Sequence, residues 1–341
     1  VRGTGGRLCT PQGPVWCCES GSTLRFLIPL GAMCGAPVQF SGEGRLPRRP
    51  QTVYERLFRE KGVAFSQSGT GVCVNGRLSA GRFCVDGGVS SQFISGLLFA
   101  LPLLEGASTV CVRPPFESRS YVQLTRSALA AFGVQAVWQD ENTLFVEKNQ
   151  KYTNCNYTVE GDASQAAFFG VLGAVCGGVR LTGLRPGSAQ GDMAFLSVLR
   201  QAGAAIVQEP CGALRFERAR LRGGEASLAD CPDLGPILMV LGLFCENGLV
   251  LRQAQRLRLK ESDRIAAMEE EIRRMGGRIE SDEGTVRVYK SALHGAALCA
   301  HNDHRVAMAM AVAALAAGVP VSIEGAEWVE KSWPEFWQVL Q

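Results

Sequence analysis

The chain has 341 residues, 46% of them hydrophobic, and a formal net charge of +3. A chain of this length usually forms more than one hydrophobic core, so we expect two domains. Lysine and arginine form no basic block and no apolar run is long enough to span a bilayer, which argues against nucleic-acid and membrane partners. Thirteen dispersed cysteines without CxxC spacing, and no visible signal peptide, indicate a cytoplasmic location and argue against disulfides or a zinc site.

Five apolar helix patterns recur along the chain, and each ends in glycine. In chain order they are STLRFLIPLGAMCG, SQFISGLLFALPLLEG, SQAAFFGVLGAVCG, DLGPILMVLGLFCENG and HRVAMAMAVAALAAG. The closing glycines, Gly35, Gly106, Gly177, Gly248 and Gly318, are 70 or 71 residues apart. We expect each to adopt the left-handed conformation that ends a helix, and the second helix to run from 91 to 105. Short β-branched runs such as STVCV and VPVSI follow them and predict strands.

A second, amphipathic helix pattern lies between the apolar ones: VYERLFREKG, LTRSALAAFG, LSVLRQAG and MEEEIRRMG. Its closing glycines, at 62, 133, 203 and 276, repeat at nearly the same interval, which chance spacing among 40 glycines does not explain. The repeating unit therefore consists of two helices interleaved with short strands. The apolar helices should lie inside each domain, with the amphipathic helices and sheets around them. A boundary in NYTVEGDAS divides the chain into domains 1–160 and 161–341.

Each apolar helix begins at a polar cluster: ESGST, GGVSSQ, EGDAS, DCPDLG and HNDHR. Simple capping of the free backbone N–H groups explains EGDAS best. The hydroxyls and N–H groups of SSQ suit a phosphate equally well. HNDHR exceeds what a cap needs, because Arg305 beside His304 opposes the helix dipole unless an anion binds there. A solvated surface arginine is the alternative.

The segment RLRLKESDRIAAMEEEIRRMG is the other dense cluster of charges. If it is helical, Lys260 and Arg264 lie one turn apart on the same face, where like charges repel. The pair therefore favours a clamp for phosphate or carboxylate, and Glu261 beside it is placed to donate a proton. GRLPRRP adds Arg49 and EKSWPEF adds Lys331, each of which alone would be an ordinary surface charge. No nucleotide-binding glycine motif and no HExxH metal motif is present.

In this order, SSQF, GDAS, CPDLGP, LRLKESDR, NDHR and EKSWPEFW resemble the EPSP synthase family, the 3-phosphoshikimate 1-carboxyvinyltransferases. ESGSTLR and GRLPRRP are similar to its earlier motifs. The resemblance implies an α/β fold: a two-domain, inverse α/β barrel-like arrangement of βαβαββ units with buried parallel helices. It also implies transfer of the enolpyruvyl group of phosphoenolpyruvate to the 5-hydroxyl of 3-phosphoshikimate, in the shikimate pathway to chorismate and aromatic amino acids. No cofactor or metal is expected, and the expected state is a monomer.

The resemblance also implies roles for particular residues. Asp233 resembles the base that takes the 5-hydroxyl proton, Glu261 the acid that protonates the methylene carbon, and Lys260 a residue that contacts both substrates. The residues implied to bind 3-phosphoshikimate are Ser90, Ser91, Gln92, Ser118, Tyr121, Asp233, Arg256 and Lys260. Those implied to bind phosphoenolpyruvate are Gly21, Arg49, Gln92, Arg264, His304, Arg305 and Lys331.

Two departures from the family pattern affect the expected activity. The family's GSKS motif would lie before residue 1, so we expect about 70 residues, one repeat unit, to be missing and turnover to be poor. Glu19 stands where the family has Asn, and its carboxylate either weakens anion binding or is turned away. The alternatives are therefore a truncated, inactive family member, or the related UDP-N-acetylglucosamine enolpyruvyl transferase. None of the cysteines here has the sequence context of that enzyme's loop cysteine.

Overall fold

The computed structural model describes residues 3, 4 and 6–341. Its contacts divide the chain into two compact units, Val1–Thr158 and Val159–Gln341, whereas the sequence placed the boundary after residue 160. Each unit has its own buried apolar core. No helix in the described part of the chain is long and apolar enough to cross a bilayer.

The first unit contains two copies of one βαβαββ sequence. The first copy is β1 (Val15–Trp16), α1 (Gly21–Gly31), β2 (Val38–Ser41), α2 (Thr52–Glu60), β3 (Ala64–Ser68) and β4 (Gly71–Asn75). The second copy is β5 (Gly81–Asp86), α3 (Ser91–Ala100), β6 (Ser108–Arg113), α4 (Arg119–Ala131), β7 (Ala136–Trp138) and β8 (Thr143–Val146). Both sheets have the strand order first, second, fourth, third. The first two strands are parallel and the other pairs antiparallel.

The second unit contains three copies that differ in strand number. One comprises α5 (Ala163–Cys176), β9 (Val179–Leu181), α6 (Ala194–Gln201), β10 (Ala205–Gln208) and β11 (Leu214–Glu217). The next is a full copy: β12 (Gly224–Ser227), α7 (Gly235–Phe244), β13 (Leu249–Arg252), α8 (Arg264–Arg274), β14 (Arg278–Ser281) and β15 (Thr285–Tyr289). The last comprises β16 (Ala296–Cys299), α9 (His304–Ala317), β17 (Val321–Glu324) and the short α10 (Phe336–Leu340). The α/β fold class of repeated βαβαββ units predicted from the sequence is confirmed.

The inner helices α1, α3, α5, α7 and α9 carry apolar residues on nearly every side and are mostly buried. Most begin at a side-chain cap. Ser20, Ser90, Asp162 and Asp303 accept hydrogen bonds from backbone N–H groups in the first turns of α1, α3, α5 and α9. Polar groups are therefore concentrated at helix starts, while the rest of each inner helix packs in the core.

Two sequence predictions about helix ends are wrong. Gly106 lacks the positive φ that Gly35, Gly177, Gly248 and Gly318 have, between 67° and 79°. The reason is that α3 ends at Ala100, not 105: the chain tightens into a 3₁₀ turn, Leu101–Leu103, that contains Pro102. The chain has therefore left the helix before it reaches Gly106.

Candidate active site

Asp233 lies at the centre of a cluster of cations in the second unit. It follows Pro232 in the 3₁₀ turn that leads into α7. Its Oδ1 is 3.0 Å from Lys260 Nζ and 2.9 Å from Arg264 Nη1, and its Oδ2 is 3.4 Å from Arg305 Nη2. These three cations come from the starts of α8 and α9 and from the segment just before α8. The inner-helix starts and the charged segment therefore meet at one carboxylate.

Arg264 and Asp303 form the buried base of this cluster. The side chain of Arg264 is 1% exposed and that of Asp303 is 0% exposed, and Arg264 Nε donates to Asp303 Oδ2 over 2.8 Å. Arg264 Nη2 also contacts Glu261 Oε2 at 2.7 Å, and Ser262 Oγ donates to Asp303 at 3.1 Å. Asp303 in turn accepts from the backbone N–H of Arg305. One carboxylate thus fixes the start of α8 against the start of α9.

The charges in the cluster set its protonation state. Burial favours the neutral form of Asp233, but Lys260, Arg305 and Arg264 outweigh it and hold its pKa well below the usual range of a carboxyl. Burial lowers the pKa of Lys260, against the attraction of Asp233. Burial and then Arg305 lower the pKa of His304 to about 4. At neutral pH Asp233 is therefore a carboxylate and His304 a neutral imidazole.

The start of α5 adds a residue that the sequence did not assign to the site. Arg305 Nη2 donates to Ser164 Oγ over 2.9 Å, and Ser164 follows the cap Asp162 in the GDAS motif. In the sequence, the position of Ser164 beside the cap Asp162 pointed to this residue. Helix capping alone was already a sufficient explanation of the GDAS motif, so Ser164 was not assigned to the site. His304 Nδ1 lies nearby, buried and without a hydrogen-bond partner among the described residues. The start of α5 therefore belongs to the same group of helix starts as α9.

Lys331 and Arg256 lie at the margin of this group. Gln165 of α5 donates to the carbonyl of Ser332, which brings the segment of Lys331 next to the start of α5. Lys331 itself is exposed. Arg256 is half-buried in the 3₁₀ helix Gln255–Leu259, close enough for its charge to lower the pKa of Lys260.

In the first unit, Gly21, Arg49 and Gln92 lie together. A Cβ atom at Gly21 would be 2.9 Å from Arg49 Nη1 and 3.5 Å from Gln92 Oε1. Gln92 Nε2 also donates to Ser22 Oγ at 2.9 Å, so the start of α3 is joined to the start of α1. Ser90 caps α3 through the N–H of Gln92. Ser91, the first residue of α3, is buried beside them.

Arg25 is the residue of this group that the sequence missed. It is 7% exposed, donates to Gln92 Oε1 over 2.9 Å, and lies 4.5 Å from the ring centroid of Phe93. It also reaches Gln51 Oε1 and Ser90 Oγ at 3.4 and 3.5 Å. The sequence feature that could have identified Arg25 is its position as a charged residue inside the apolar pattern STLRFL. Its contacts indicate that it orients Gln92.

Ser118 and Tyr121 lie at the start of α4. Ser118 is 1% exposed and has a φ of 56°, and the N–H of Tyr121 donates to its carbonyl. The helix α4 packs beside α3, where Ser95 Oγ and Thr125 Oγ1 are 2.7 Å apart. Both residues therefore lie at the start of a helix that packs against α3, the helix that begins at Ser91.

Two expectations about charged residues can now be compared with the structure. Lys260 and Arg264 do not share a helix face: Asp263 caps α8, so the helix begins at Arg264 and Lys260 is in extended backbone. That prediction is wrong, although both cations contact Asp233. Glu19 directs Oε1 toward the backbone N–H of Arg45, 3.2 Å away.

A third group of ligand-type side chains lies elsewhere in the second unit. Glu270, Glu271 and His301 place one oxygen or nitrogen each within 4.8 Å of one another. Glu271 is fully buried, with His301 Nε2 2.7 Å from one oxygen and the N–H of Cys299 donating to the other. Arg274 pairs with Glu270 at 2.5 Å. Hydrogen bonds and an ion pair thus account for this group without a metal.

Comparison with known proteins identifies the family. The family model of EPSP synthase (3-phosphoshikimate 1-carboxyvinyltransferase) matches residues 1–340. A protein of that name from Clostridium acetobutylicum is 40% identical over 329 residues, which cover 95% of this chain and 76% of the relative. Another from Clostridium novyi is 39% identical over 335 residues, 97% of this chain and 77% of the relative. The chain therefore belongs to the EPSP synthase family, and the predicted enzyme class, a transferase of the shikimate pathway, is confirmed.

Solved structures agree with this family and fold. EPSP synthase from Acinetobacter baumannii superposes with a TM-score of 0.78 at 25% identity, covering 97% of this chain and 78% of that one. The enolpyruvyl transferase NikO from Streptomyces tendae superposes with a TM-score of 0.70 at 15% identity, covering 97% and 94%. At that identity, NikO supports the fold alone.

Proposed function

We propose that this chain transfers the enolpyruvyl group of phosphoenolpyruvate to the 5-hydroxyl of 3-phosphoshikimate and releases phosphate. The observation that carries the proposal is the Asp233 carboxylate, which is within 3.4 Å of Lys260, Arg264 and Arg305. Glu261 contacts the same Arg264. Both substrates are polyanions, and the reaction needs one group to take a proton and another to give one. Fixed cations beside two carboxylates supply both requirements.

The low pKa of Asp233 fits a base that becomes active when the substrates bind. Before binding, Lys260, Arg264 and Arg305 stabilise its charged form, which makes it a weak base. When phosphate and carboxylate groups of the substrates engage those cations, the positive field at Asp233 falls and its pKa rises. It can then accept the 5-hydroxyl proton, while Glu261 protonates the methylene carbon of phosphoenolpyruvate. We assign to Lys260 a contact with both substrates.

The proposed binding residues come from both groups of helix starts and from the segments beside them. We assign Ser90, Ser91, Gln92, Ser118, Tyr121 and Arg256 to 3-phosphoshikimate, since hydroxyls, amides and a cation suit its phosphate. We assign Gly21, Arg49, His304 and Lys331, with Arg264 and Arg305, to phosphoenolpyruvate. Gly21 fits this role because any side chain there would meet Arg49. The buried Nδ1 of His304, which has no hydrogen-bond partner in the described part of the chain, is available to an anion's hydroxyl or to water.

The acceptor is the point on which rival functions differ. The relatives at 39–40% identity are named for 3-phosphoshikimate, which favours it over UDP-N-acetylglucosamine. We also propose that the chain acts as a monomer in the cytoplasm, without a nucleic-acid or membrane partner. Size-exclusion chromatography with light scattering measures the molar mass in solution and so checks whether the chain is a monomer.

Release of phosphate by the chain tests the function. With phosphoenolpyruvate and 3-phosphoshikimate together we expect release above background, and with UDP-N-acetylglucosamine as acceptor none. The Asp233→Asn variant keeps the side-chain shape and should lose about 10²–10⁴-fold in turnover. Its KM for phosphoenolpyruvate should change far less, because Lys260, Arg264 and Arg305 remain.

The matched control is Glu225→Gln, which makes the same change in an exposed ion pair with Arg252. It should leave turnover unchanged. A turnover of Asp233→Asn equal to that of the unmodified chain would remove Asp233 from the mechanism. No phosphate release by the unmodified chain with both substrates would identify an inactive family member.

A further inference from the structure

Two cysteines face each other across neighbouring strands in the second sheet of the first unit. Cys84 of β5 and Cys111 of β6 are partners in the parallel register of these strands. Among the strand pairs that the structure describes, this is the one position where a cysteine is paired with a cysteine. The two residues are distant in the sequence, so the spacing of the cysteines along the chain could not indicate this pair.

Both thiols lie on the outer face of that sheet. The neighbours of the two cysteines along the strands are at most 3% exposed and belong to the apolar core: Phe83, Val85, Val110 and Val112. Side chains alternate between the two faces of a strand, so Cys84 and Cys111 point away from this core. Each of the two is half-buried, whereas Cys231 and Cys245 are fully enclosed. A small, water-soluble oxidant can therefore reach the pair.

The strand geometry permits a bond between the two sulfurs. Paired residues of neighbouring strands have Cα atoms about 4.8 Å apart, inside the range of about 4.4–6.8 Å over which a disulfide joins two Cα atoms. Arg56 of α2 donates to the carbonyl of Cys84 over 2.9 Å and pairs with Asp86 at 3.0 Å, which fixes the outer edge of β5. The backbone beneath the thiols is therefore held in register, and the two side chains can meet by rotation about χ1.

A cation lies beside both thiols. Arg82 precedes Cys84 by two residues on the same face of β5, and its hydrogen bonds with Cys111 and Cys84 raise the pKa of its guanidinium. A positive charge next to a sulfur stabilises the thiolate, which is the form in which a cysteine attacks. Further along the same face, Asp86 and Arg113 pair with each other at 3.4 Å. Arg82 is therefore the cation placed to assist the reaction of either thiol.

We propose that Cys84 and Cys111 form a redox modification site, at which a peroxide converts the two thiols into a reversible disulfide. The Cys111 thiolate attacks one oxygen of hydrogen peroxide, so that an S–O bond forms, the O–O bond breaks, and the departing hydroxide leaves as water with the thiol proton. The Cys84 thiolate then attacks the Cys111 sulfur: an S–S bond forms, the S–O bond breaks, and a second water leaves with the proton of Cys84. Two thiols are thus oxidised and one peroxide is reduced to two waters. The proposal is independent of the proposed catalytic function.

Mapping of the thiols after mild oxidation tests the proposal. The folded chain is treated with a small molar excess of hydrogen peroxide in the presence of a chelator, and the remaining thiols are then alkylated. Trypsin and a glutamate-specific protease separate Cys84 from Cys111 by cleavage at Glu105. We expect mass spectrometry to find the two cysteine peptides joined, with the loss of two hydrogen atoms.

The same digest contains an internal reference. Cys73 of β4 is half-buried like the pair, but its partners in the register are Gln39 and Ser66. It should therefore remain a thiol under conditions that join the pair. Dithiothreitol should restore both thiols of the pair, since disulfides in a reducing compartment are transient and are removed by thiol exchange.

Variants separate the roles of the two thiols and of the cation. In Cys84→Ser the Cys111 sulfenic acid has no partner, and its capture by dimedone should rise at least about tenfold over that in the unmodified chain. In Arg82→Gln the disulfide should form about fivefold more slowly, because the attacking thiolate loses its neighbouring charge. Arg113→Gln removes a positive charge from the same face and should leave the rate unchanged. Circular dichroism confirms that each variant is folded.

Three results would overturn the proposal. The first is oxidation of Cys84 and Cys111 that is no faster than that of Cys73. The second is bonding of either cysteine to other cysteines as abundantly as to its strand partner, which would indicate random exchange. The third is equal capture of sulfenic acid in Cys84→Ser and in the unmodified chain, which would show that Cys84 does not attack Cys111. Phosphate release is not used as a readout, so failure here is distinct from failure of the proposed function.

Discussion

Individual residues of the Asp233 cluster have a structural role as well as the chemical role that we propose. Asp303 caps α9, accepts from Arg264 and Ser262, and is fully buried. Burial raises its pKa, but Arg264 outweighs burial and the pKa lies below that of an ordinary aspartate. Breaking such a buried pair leaves an uncompensated charge, which is far costlier than losing a surface pair. The cations that would hold the substrates are thus fixed in place before any substrate arrives.

His304 makes the stability of the second unit depend on pH. Its pKa is about 4 in the folded chain and about 6.5 when unfolded, so below pH 6.5 the unfolded state binds more protons. The free energy of unfolding of the second unit therefore decreases as the pH drops from 6.5 toward 4. Between pH 7 and pH 5 the contribution of His304 to this decrease is about 2 kcal/mol. Urea unfolding at both pH values, followed by the fluorescence of Trp328, Trp333 and Trp337, measures the loss.

Two variants isolate the contribution of His304. In His304→Gln, the decrease in the free energy of unfolding between pH 7 and pH 5 should be smaller by most of the expected contribution of about 2 kcal/mol. His294→Gln removes an exposed histidine from the same unit and should leave the loss unchanged. Equal pH dependence in the unmodified chain and His304→Gln would show that His304 does not control it.

At the scale of elements, α1 and α3 pack through a glycine. A Cβ atom at Gly96 would overlap the carbonyl of Arg25 and the hydroxyl of Tyr54, which donates to that carbonyl over 2.7 Å. Gly96→Ala should therefore separate the two helices and destabilise the first unit by about 1–3 kcal/mol. The midpoint of urea unfolding reports this. Gly69→Ala, at a site with no atom within 4 Å of the added Cβ, should leave the midpoint unchanged.

The sequence predicted the elements better than their ends and contacts. Periodicity and the glycine spacing gave the inner helices and the repeat, because both patterns are local. They failed at Gly106, where Pro102 had already ended the helix, and at Lys260, where the cap Asp263 starts α8 later than the charge pattern suggested. The contacts of Asp233 with residues 27 to 72 positions away are set by tertiary packing. Only the family resemblance could indicate them.

Arg25 and Ser164 were missed for a related reason. Each stands in a helix whose local pattern has a sufficient explanation, an apolar core face for Arg25 and a cap for Ser164. Their roles arise from partners on other helices, Gln92 and Arg305.

At the scale of the whole molecule, the chain consists of two units that each bury their own apolar core. Residues 154–159 between them have no secondary structure and are exposed. We therefore expect residues 1–158 and 159–341, expressed separately, each to fold with the secondary structure they have in the full chain. The second fragment has the larger set of buried apolar residues and should unfold at the higher urea concentration. Circular dichroism measures both properties in either fragment. The fluorescence of Trp333, which packs against Phe169 and Phe336, also follows the unfolding of the second fragment.

Both fragments contain residues that we assign to substrate binding, Arg49 and Gln92 in the first and Asp233 and Arg305 in the second. Neither fragment alone should therefore release phosphate from the two substrates. Fragments cut inside a unit, after residue 130 or after residue 245, provide the control, because they split one core and should not fold. Unfolded 1–158 and 159–341 beside a folded full chain would mean that the units depend on each other for stability. Folded fragments would show that each core is sufficient, since the apolar residues that each unit buries are then enough to offset its loss of chain entropy.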